Sequence, residues 1–122
     1  RQPSIAQAEL FQTEDADIVI VAAGSVARSA RAAVKEARAQ GLKLGLVRPI
    51  TAWPFPEKAI DGVAKTAKAI IVAEMNLGQM ILEVEREVAG RVPVFDLNRI
   101  DAELITTQDI IARAQEVTEN VR

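Results

Sequence analysis

The groups in this chain able to do chemistry are carboxylates, amines, guanidinium groups and hydroxyls, because its 122 residues include no cysteine and no histidine. Disulfides, thiolate nucleophiles, Cys-ligated iron–sulfur clusters and the usual zinc sites are therefore excluded within it. So are a His-based triad and the commonest general base near neutral pH. Two positions stand out by placement. Gly24-Ser25 closes an apolar run and opens a helical stretch. Backbone N–H groups and the helix dipole can hold an anion there. The same pair serves more simply as a turn glycine and a Ser cap. Glu74 follows another buried run. A carboxylate there suits a base, a ligand to a hydroxyl or cofactor ring, or a plain salt bridge, and no second acid or His strengthens the catalytic option.

The phosphate motifs fail. Where G-x-G-x-x-G needs further glycines the chain has Val26 and Ser29, and G-x-x-x-x-G-K-[ST] does not occur. Arg28, Arg31, Lys35 and Arg38 recur at helical spacing and share one face, which reads as a solvated stripe or a surface for an acidic partner. No aromatic residues interleave them, which argues against single-stranded nucleic acid. Trp53-Pro54-Phe55-Pro56 puts two of the four aromatic residues in one proline-stiffened loop. Exposed, it is a docking anchor; folded back, it is a lid on the core.

The elements that must position these groups follow from the apolar pattern. Residues 18–23 are apolar without alternation, as in a strand covered on both faces. Residues 26–40 form a helix with an alanine-rich inner face, and Gly41 follows as a C′ residue. Residues 42–47 are a second strand, stopped by Arg48-Pro49. Pro56-Glu57 starts a helix to Thr66, weakened by Gly62. Residues 69–73 are a third strand. Residues 74–79 (Glu74, Met75, Asn76, Leu77, Gly78, Gln79) make a turn in which Asn76 and Gln79 have capping-box spacing. A helix follows through Val84 and Val88 to Ala89. A fourth strand spans 92–97, and a last helix starts near Thr106 or Thr107 and buries Ile110, Ile111, Ala114 and Val117. Residues 1–14 read as a lead-in segment, with a short helix using Ile5, Ala8, Leu10 and Phe11.

Strand–helix repeated four times predicts a three-layer α/β/α domain over residues 15–122. Its mainly parallel sheet has four strands, which take the order 2-1-3-4. The expected crevice lies beyond the carboxyl ends of strands one and three, beside Gly24, Ser25, Glu74, Met75 and Asn76. A response-regulator receiver is excluded, since strand one lacks its acidic cluster.

The composition is that of an ordinary globular domain, at 49% hydrophobic and 26% charged. Its net charge of −2 advertises neither a nucleic-acid nor a membrane partner. No run is long enough for a membrane span and no signal peptide is evident, so a cytoplasmic location is expected. The chain opens on Arg1 rather than Met, which fits a piece of a longer polypeptide.

Four strings together resemble one family: DADIVIVAAGSVARSA (15–30), GLVRPITAWPF (45–55), EMNLGQM (74–80) and LNRIDAELIT (97–106). They are similar to the C-terminal region of 2-oxoacid:ferredoxin oxidoreductase alpha subunits, over about residues 15–112. The NLGQ wording leans toward the 2-oxoglutarate type, with branched-chain members close behind. The resemblance implies a transketolase C-terminal-like fold. It implies a whole enzyme that oxidatively decarboxylates a 2-oxoacid to an acyl-CoA and reduces ferredoxin, using thiamine diphosphate, magnesium, coenzyme A and iron–sulfur clusters. It implies that these groups sit elsewhere, on other alpha-subunit domains or on the thiamine- and cluster-carrying subunit, and that this domain holds no catalytic residue and no metal. Trp53, Pro54 and Phe55, with Glu74, Met75, Asn76, Gly78 and Gln79, are then the expected contacts to neighbouring domains. Gly24 and Ser25 remain a candidate anion site. Related transketolase-type folds often carry an edge strand ahead of strand one, and residues 1–14 do not read as that strand. The rival reading is a free-standing small-molecule or anion-binding module using the Gly24/Glu74 crevice.

Overall fold

A computed structural model describes residues 8–49, 57–74, 79–98 and 105–120. The chain runs β1 (Ala8–Phe11), β2 (Ile18–Ala22), α1 (Gly24–Ala39), β3 (Leu44–Pro49), α2 (Glu57–Ala64), β4 (Ala69–Glu74), α3 (Gln79–Val88), β5 (Val94–Asn98) and α4 (Thr107–Asn120). The strands form one sheet in the order β1-β3-β2-β4-β5. All neighbours are parallel except β1, which runs antiparallel to β3. The expected order 2-1-3-4 is thus found, with one strand added at the edge.

That added strand corrects the helix expected near the N-terminus. Four residues cannot sustain an isolated helix, whereas the open edge of β3 offers them backbone partners. Glu9 faces Arg48 and Phe11 faces Leu46 in the register. A Glu9–Arg48 ion pair of 2.9 Å crosses the two strands, the kind of opposite-charge pair that supports antiparallel pairing. Phe11 packs on one face of the sheet and Ala8 on the other.

Period-two alternation sorts the buried strands onto two cores. Ile18, Ile20, Leu44, Leu46 and Ile71 join the inner faces of α1 and α4. Val19, Val21, Val47, Ile70 and Val72 join those of α2 and α3. Ala30, Ala33 and Ala37 of α1 are completely buried, so the alanine face lets the helix lie close to the sheet and to Ala114 of α4. Thr107 Oγ1 donates to Ser29 O at 3.1 Å, tying α4 to α1.

Element ends follow local chemistry. Helix α1 closes in a Schellman motif: Leu42 N–H donates to Ala37 O (2.9 Å) and Gly41 N–H to Arg38 O (3.0 Å). Gly41 takes the left-handed φ of 91° that this requires. Leu42 is therefore spent on the cap, and β3 begins two residues later than expected. It also runs on through Arg48 and Pro49, because both pair with β1. Helix α4 is entered through a reciprocal capping box. Asp109 N–H donates to Thr106 Oγ1 (3.1 Å), and Thr106 N–H to the Asp109 carboxylate (3.0 Å).

The turn between β1 and β2 lies directly on β3. A methyl group on Gly45 would sit 2.7 Å from Gln12 O, 2.9 Å from Ala16 Cβ and 3.0 Å from Thr13 Cα. Arg38 clamps the same turn, donating Nη2 to Gln12 O (2.8 Å) and Nε to Leu44 O (2.8 Å). It also pairs with the Asp15 carboxylate at 2.7 Å. Hydrogen bonding from the Arg38 guanidinium, aided by its charge, holds the Asp15 carboxyl below its ordinary pKa against a smaller upward push from desolvation.

Three outcomes are expected. Gly45→Ala lowers the urea midpoint, costing roughly 1–3 kcal/mol of overpacking against backbone. Gly62→Ala in α2, where an added methyl meets nothing within 4 Å, raises stability by up to about 1 kcal/mol. Asp15 has a depressed folded pKa, so its contribution is present above the unfolded value of about 4 and is lost as pH falls through the folded value. Thermal midpoints of the protein and its Asp15→Asn variant should then differ at about pH 6 and converge toward about pH 2; the gap should also shrink in high salt, since the pair is open to solvent.

Candidate functional site

The site-bearing end of an open parallel sheet is set by topology. Chain leaves β2 into α1 on one face and reaches α2 on the other, so the strand order reverses beside β2. Ala22 is in register with Ala73, which sets the carboxyl ends of β2 and β4 side by side. The chain leaves the carboxyl ends of β3, β4 and β5 into segments 50–56, 75–78 and 99–104. Trp53, Pro54, Phe55, Met75, Asn76 and Gly78 thus lie outside the described residues, and so does the Asn76 half of the expected capping box. Glu74 ends β4 opposite Asn98 of β5, and Gln79 opens α3.

Gly24 is placed as expected but for a different local reason. It takes φ 63°, and a methyl group there would meet nothing within 4 Å, so conformation rather than space calls for glycine. This left-handed step lets α1 begin at Gly24, with extended Ala23 as the N-cap. Ser25 is consequently inside the first turn and does not occupy the cap position. Ala23 makes no side-chain cap bond, and the first turn holds no acidic residue.

The basic stripe on α1 does not behave as one solvated face. Arg38 is consumed by the clamp on the β1–β2 turn. Arg31 lies over the Phe11 ring, 4.1 Å from its centre. Arg28 and Lys35 are exposed. Near Gly24 the surface is concave: a cavity of about 240 Å³ is lined by Gly24, Arg28 and Arg31 of α1, Glu9 and Phe11 of β1, and Arg48 of β3, among others. Glu9, Phe11 and Arg48 are functional-site neighbours that sequence reasoning missed, and the Glu9/Arg48 pairing is visible only once β1 joins β3. A wider cavity of about 600 Å³ lies at the opposite end of the sheet, where Asp17 and Lys68 stand 3.9 Å apart.

Among the described residues no three carboxylates converge in a way that would hold a metal ion, and a Cys-ligated cluster has no ligands in a chain without cysteine. Nor is any helix among them long and apolar enough to cross a membrane.

Residues 16–110 match the family described as pyruvate:ferredoxin oxidoreductase core domain II. The chain is 40% identical over 99 residues to the 2-oxoglutarate synthase subunit KorA of Methanothermobacter marburgensis, covering 81% of this chain and 26% of that one. It is 40% identical over 109 residues to the ketoisovalerate oxidoreductase subunit VorB of the same organism, covering 89% of this chain and 31% of that one. It therefore spans between a quarter and a third of the length of these relatives. Two solved structures superpose on 95% of the chain with a TM-score of 0.78. One is the 2-oxoglutarate:ferredoxin oxidoreductase of Magnetococcus marinus with 2-oxoglutarate, coenzyme A and succinyl-CoA bound (26% identity, 20% of that chain). The other is a split-gene transketolase in an inactive β4 tetramer (25% identity, 42% of that chain). The expected transketolase-like architecture is confirmed, and the chain belongs to the pyruvate:ferredoxin oxidoreductase core domain II family of 2-oxoacid:ferredoxin oxidoreductase subunits.

Proposed function

We propose that this domain is a non-catalytic assembly element of a 2-oxoacid:ferredoxin oxidoreductase. The whole enzyme oxidatively decarboxylates a 2-oxoacid with coenzyme A, giving an acyl-CoA and carbon dioxide and passing the two electrons to ferredoxin. The observation that carries the reading is the family match across residues 16–110, in a chain lacking both cysteine and histidine. Thiamine diphosphate supplies the carbanion stabilisation that decarboxylation of a 2-oxoacid needs. In this reading other domains or subunits carry it, its magnesium ion and the iron–sulfur clusters, for which this chain offers no cysteine ligand. What this chain contributes is a rigid sheet with two separate cores, from whose carboxyl end the segments bearing Trp53, Pro54, Phe55 and Met75, Asn76, Gly78 emerge. Those residues, with Glu74 and Gln79, are its contacts to the rest of the alpha subunit and to the partner subunit.

The favoured substrate is 2-oxoglutarate, supported by the KorA relative and by the Magnetococcus enzyme. The VorB relative is equally similar in identity, so branched-chain 2-oxoacids are the competing substrate class. The native protein carrying this chain is accordingly expected to reduce ferredoxin when given coenzyme A and 2-oxoglutarate, faster than with 2-oxoisovalerate or pyruvate. No 2-oxoacid-dependent reduction in the purified protein overturns the reading; faster turnover of 2-oxoisovalerate reassigns the substrate alone.

Trp53→Ala tests the docking role. It is expected to weaken subunit assembly, seen as a shift to smaller species in sedimentation, while circular dichroism stays that of the folded protein. Unchanged assembly, or loss of the fold, goes against Trp53 as an anchor.

A further inference from the structure

We propose that the groove enclosed by β1, β3 and the first two turns of α1 is a binding site for a compact dianion of the phosphate class, held by Arg28, Arg31 and Arg48. This proposal is independent of the oxidoreductase reading and rests on three features of the groove.

The first feature is charge. The chain as a whole carries −2, yet among the described residues the groove's lining contains three guanidinium groups and one carboxylate, Glu9. The local excess of two positive charges matches a dianion. The second feature is how each arginine is held. Arg48 donates Nη1 to Glu9 at 2.9 Å, which fixes the guanidinium while leaving the rest of its donor fork available. Arg31 is oriented flat over Phe11, an arrangement that occupies its face and leaves its edge N–H groups free to donate. Arg28 has no hydrogen bond or ion pair among the described residues, although Glu36 lies two turns along the same helix. Arg38, one turn beyond Lys35, shows what happens to an arginine here when a structural acceptor is in reach: it is saturated by two backbone carbonyls and Asp15. The arginines around the groove are not used that way.

The third feature is size. About 240 Å³ falls below the roughly 300–1,000 Å³ of pockets that enclose a drug-sized ligand. The groove has room for a phosphate group and is too small to enclose a whole nucleotide. Arginine forks match phosphate oxygens bidentately, and such charge-assisted bonds are the strong ones. Gly24 lines the same groove, so the positive end of the α1 dipole, where Ala23 makes no side-chain cap bond and the first turn holds no acid, adds to the field without being needed to carry the site.

The test is arginine-selective modification of the native protein with p-hydroxyphenylglyoxal, mapped by peptide mass, with inorganic phosphate as the probe and chloride at matched ionic strength as the control. A site of roughly millimolar Kd is nearly full at about 20 mM phosphate, so modification of Arg28 should slow about twentyfold. Arg86 on α3, on the opposite face of the sheet and with 76% of its side chain exposed, should not change. The Arg31→Gln, Arg48→Gln double variant should lose the protection of Arg28 while keeping its reactivity without phosphate. Less than about twofold protection, or equal slowing by chloride through plain screening, overturns the proposal. So does an Arg28 that is unreactive in the native protein and becomes reactive only when subunits are separated, since a neighbouring domain then fills the groove. Loss of ferredoxin reduction has no bearing on this readout, so the two proposals fail separately.

Discussion

Strand β2 has no solvent face: every one of its five residues is buried. A strand in that position exposes apolar side chains in both directions, so it forms only if helices cover it above and below. The rest of the architecture answers that requirement. Ile18 and Ile20 point to α1 and α4, and Val19 and Val21 point to α2 and α3. Strands β3 and β4 then flank β2 with their own buried residues, and the right-handed connections leave one economical path for the chain. The same path makes the strand order turn back beside β2, with the carboxyl ends of β2 and β4 side by side.

The N-terminal strand shows a different kind of dependence. β1 owes its form to β3, since its own four residues carry no helical or strand period of consequence. Once docked it does three jobs. It covers the outer edge of β3, which would otherwise present unpaired backbone groups. It carries the turn that Gly45 admits and Arg38 clamps. It also brings Glu9 and Phe11 to Arg48 and Arg31, turning a flat arginine-bearing helix face into a concave one. One packing event therefore contributes to both stability and a candidate site.

The assembly role proposed for this domain asks for shape and charge rather than Cys or His chemistry, and the chain has neither residue. Its interior is split into two independent cores by the sheet, and cross-ties such as Thr107 to Ser29 and Arg113 to Asp96 O at 2.9 Å hold α4 against α1 and β5.

Residues 18–23 and 69–73 declared themselves as buried strands because β-branched runs without alternation suit a strand covered on both faces, residues 42–47 read as a strand that in fact starts at Leu44, and Gly41 marked the end of α1 because a Schellman motif needs a left-handed residue at that point. The absent Cys and His limited the chemistry, and four short strings pointed to the family. Position in space decided the remainder. Arg28, Arg31 and Arg38 look alike in a helical repeat, yet among the described residues one has no hydrogen bond or ion pair, one stacks on Phe11 and one clamps a turn, because only the reach of β1 and its turn separates them. Ser25 looks like a cap, yet the positive φ of Gly24 moves the helix start so that Ala23 takes that place. Periodicity along a chain reports which face is buried; which groups from distant segments meet on that face depends on backbone pairing between strand edges, and that pairing has no local signature.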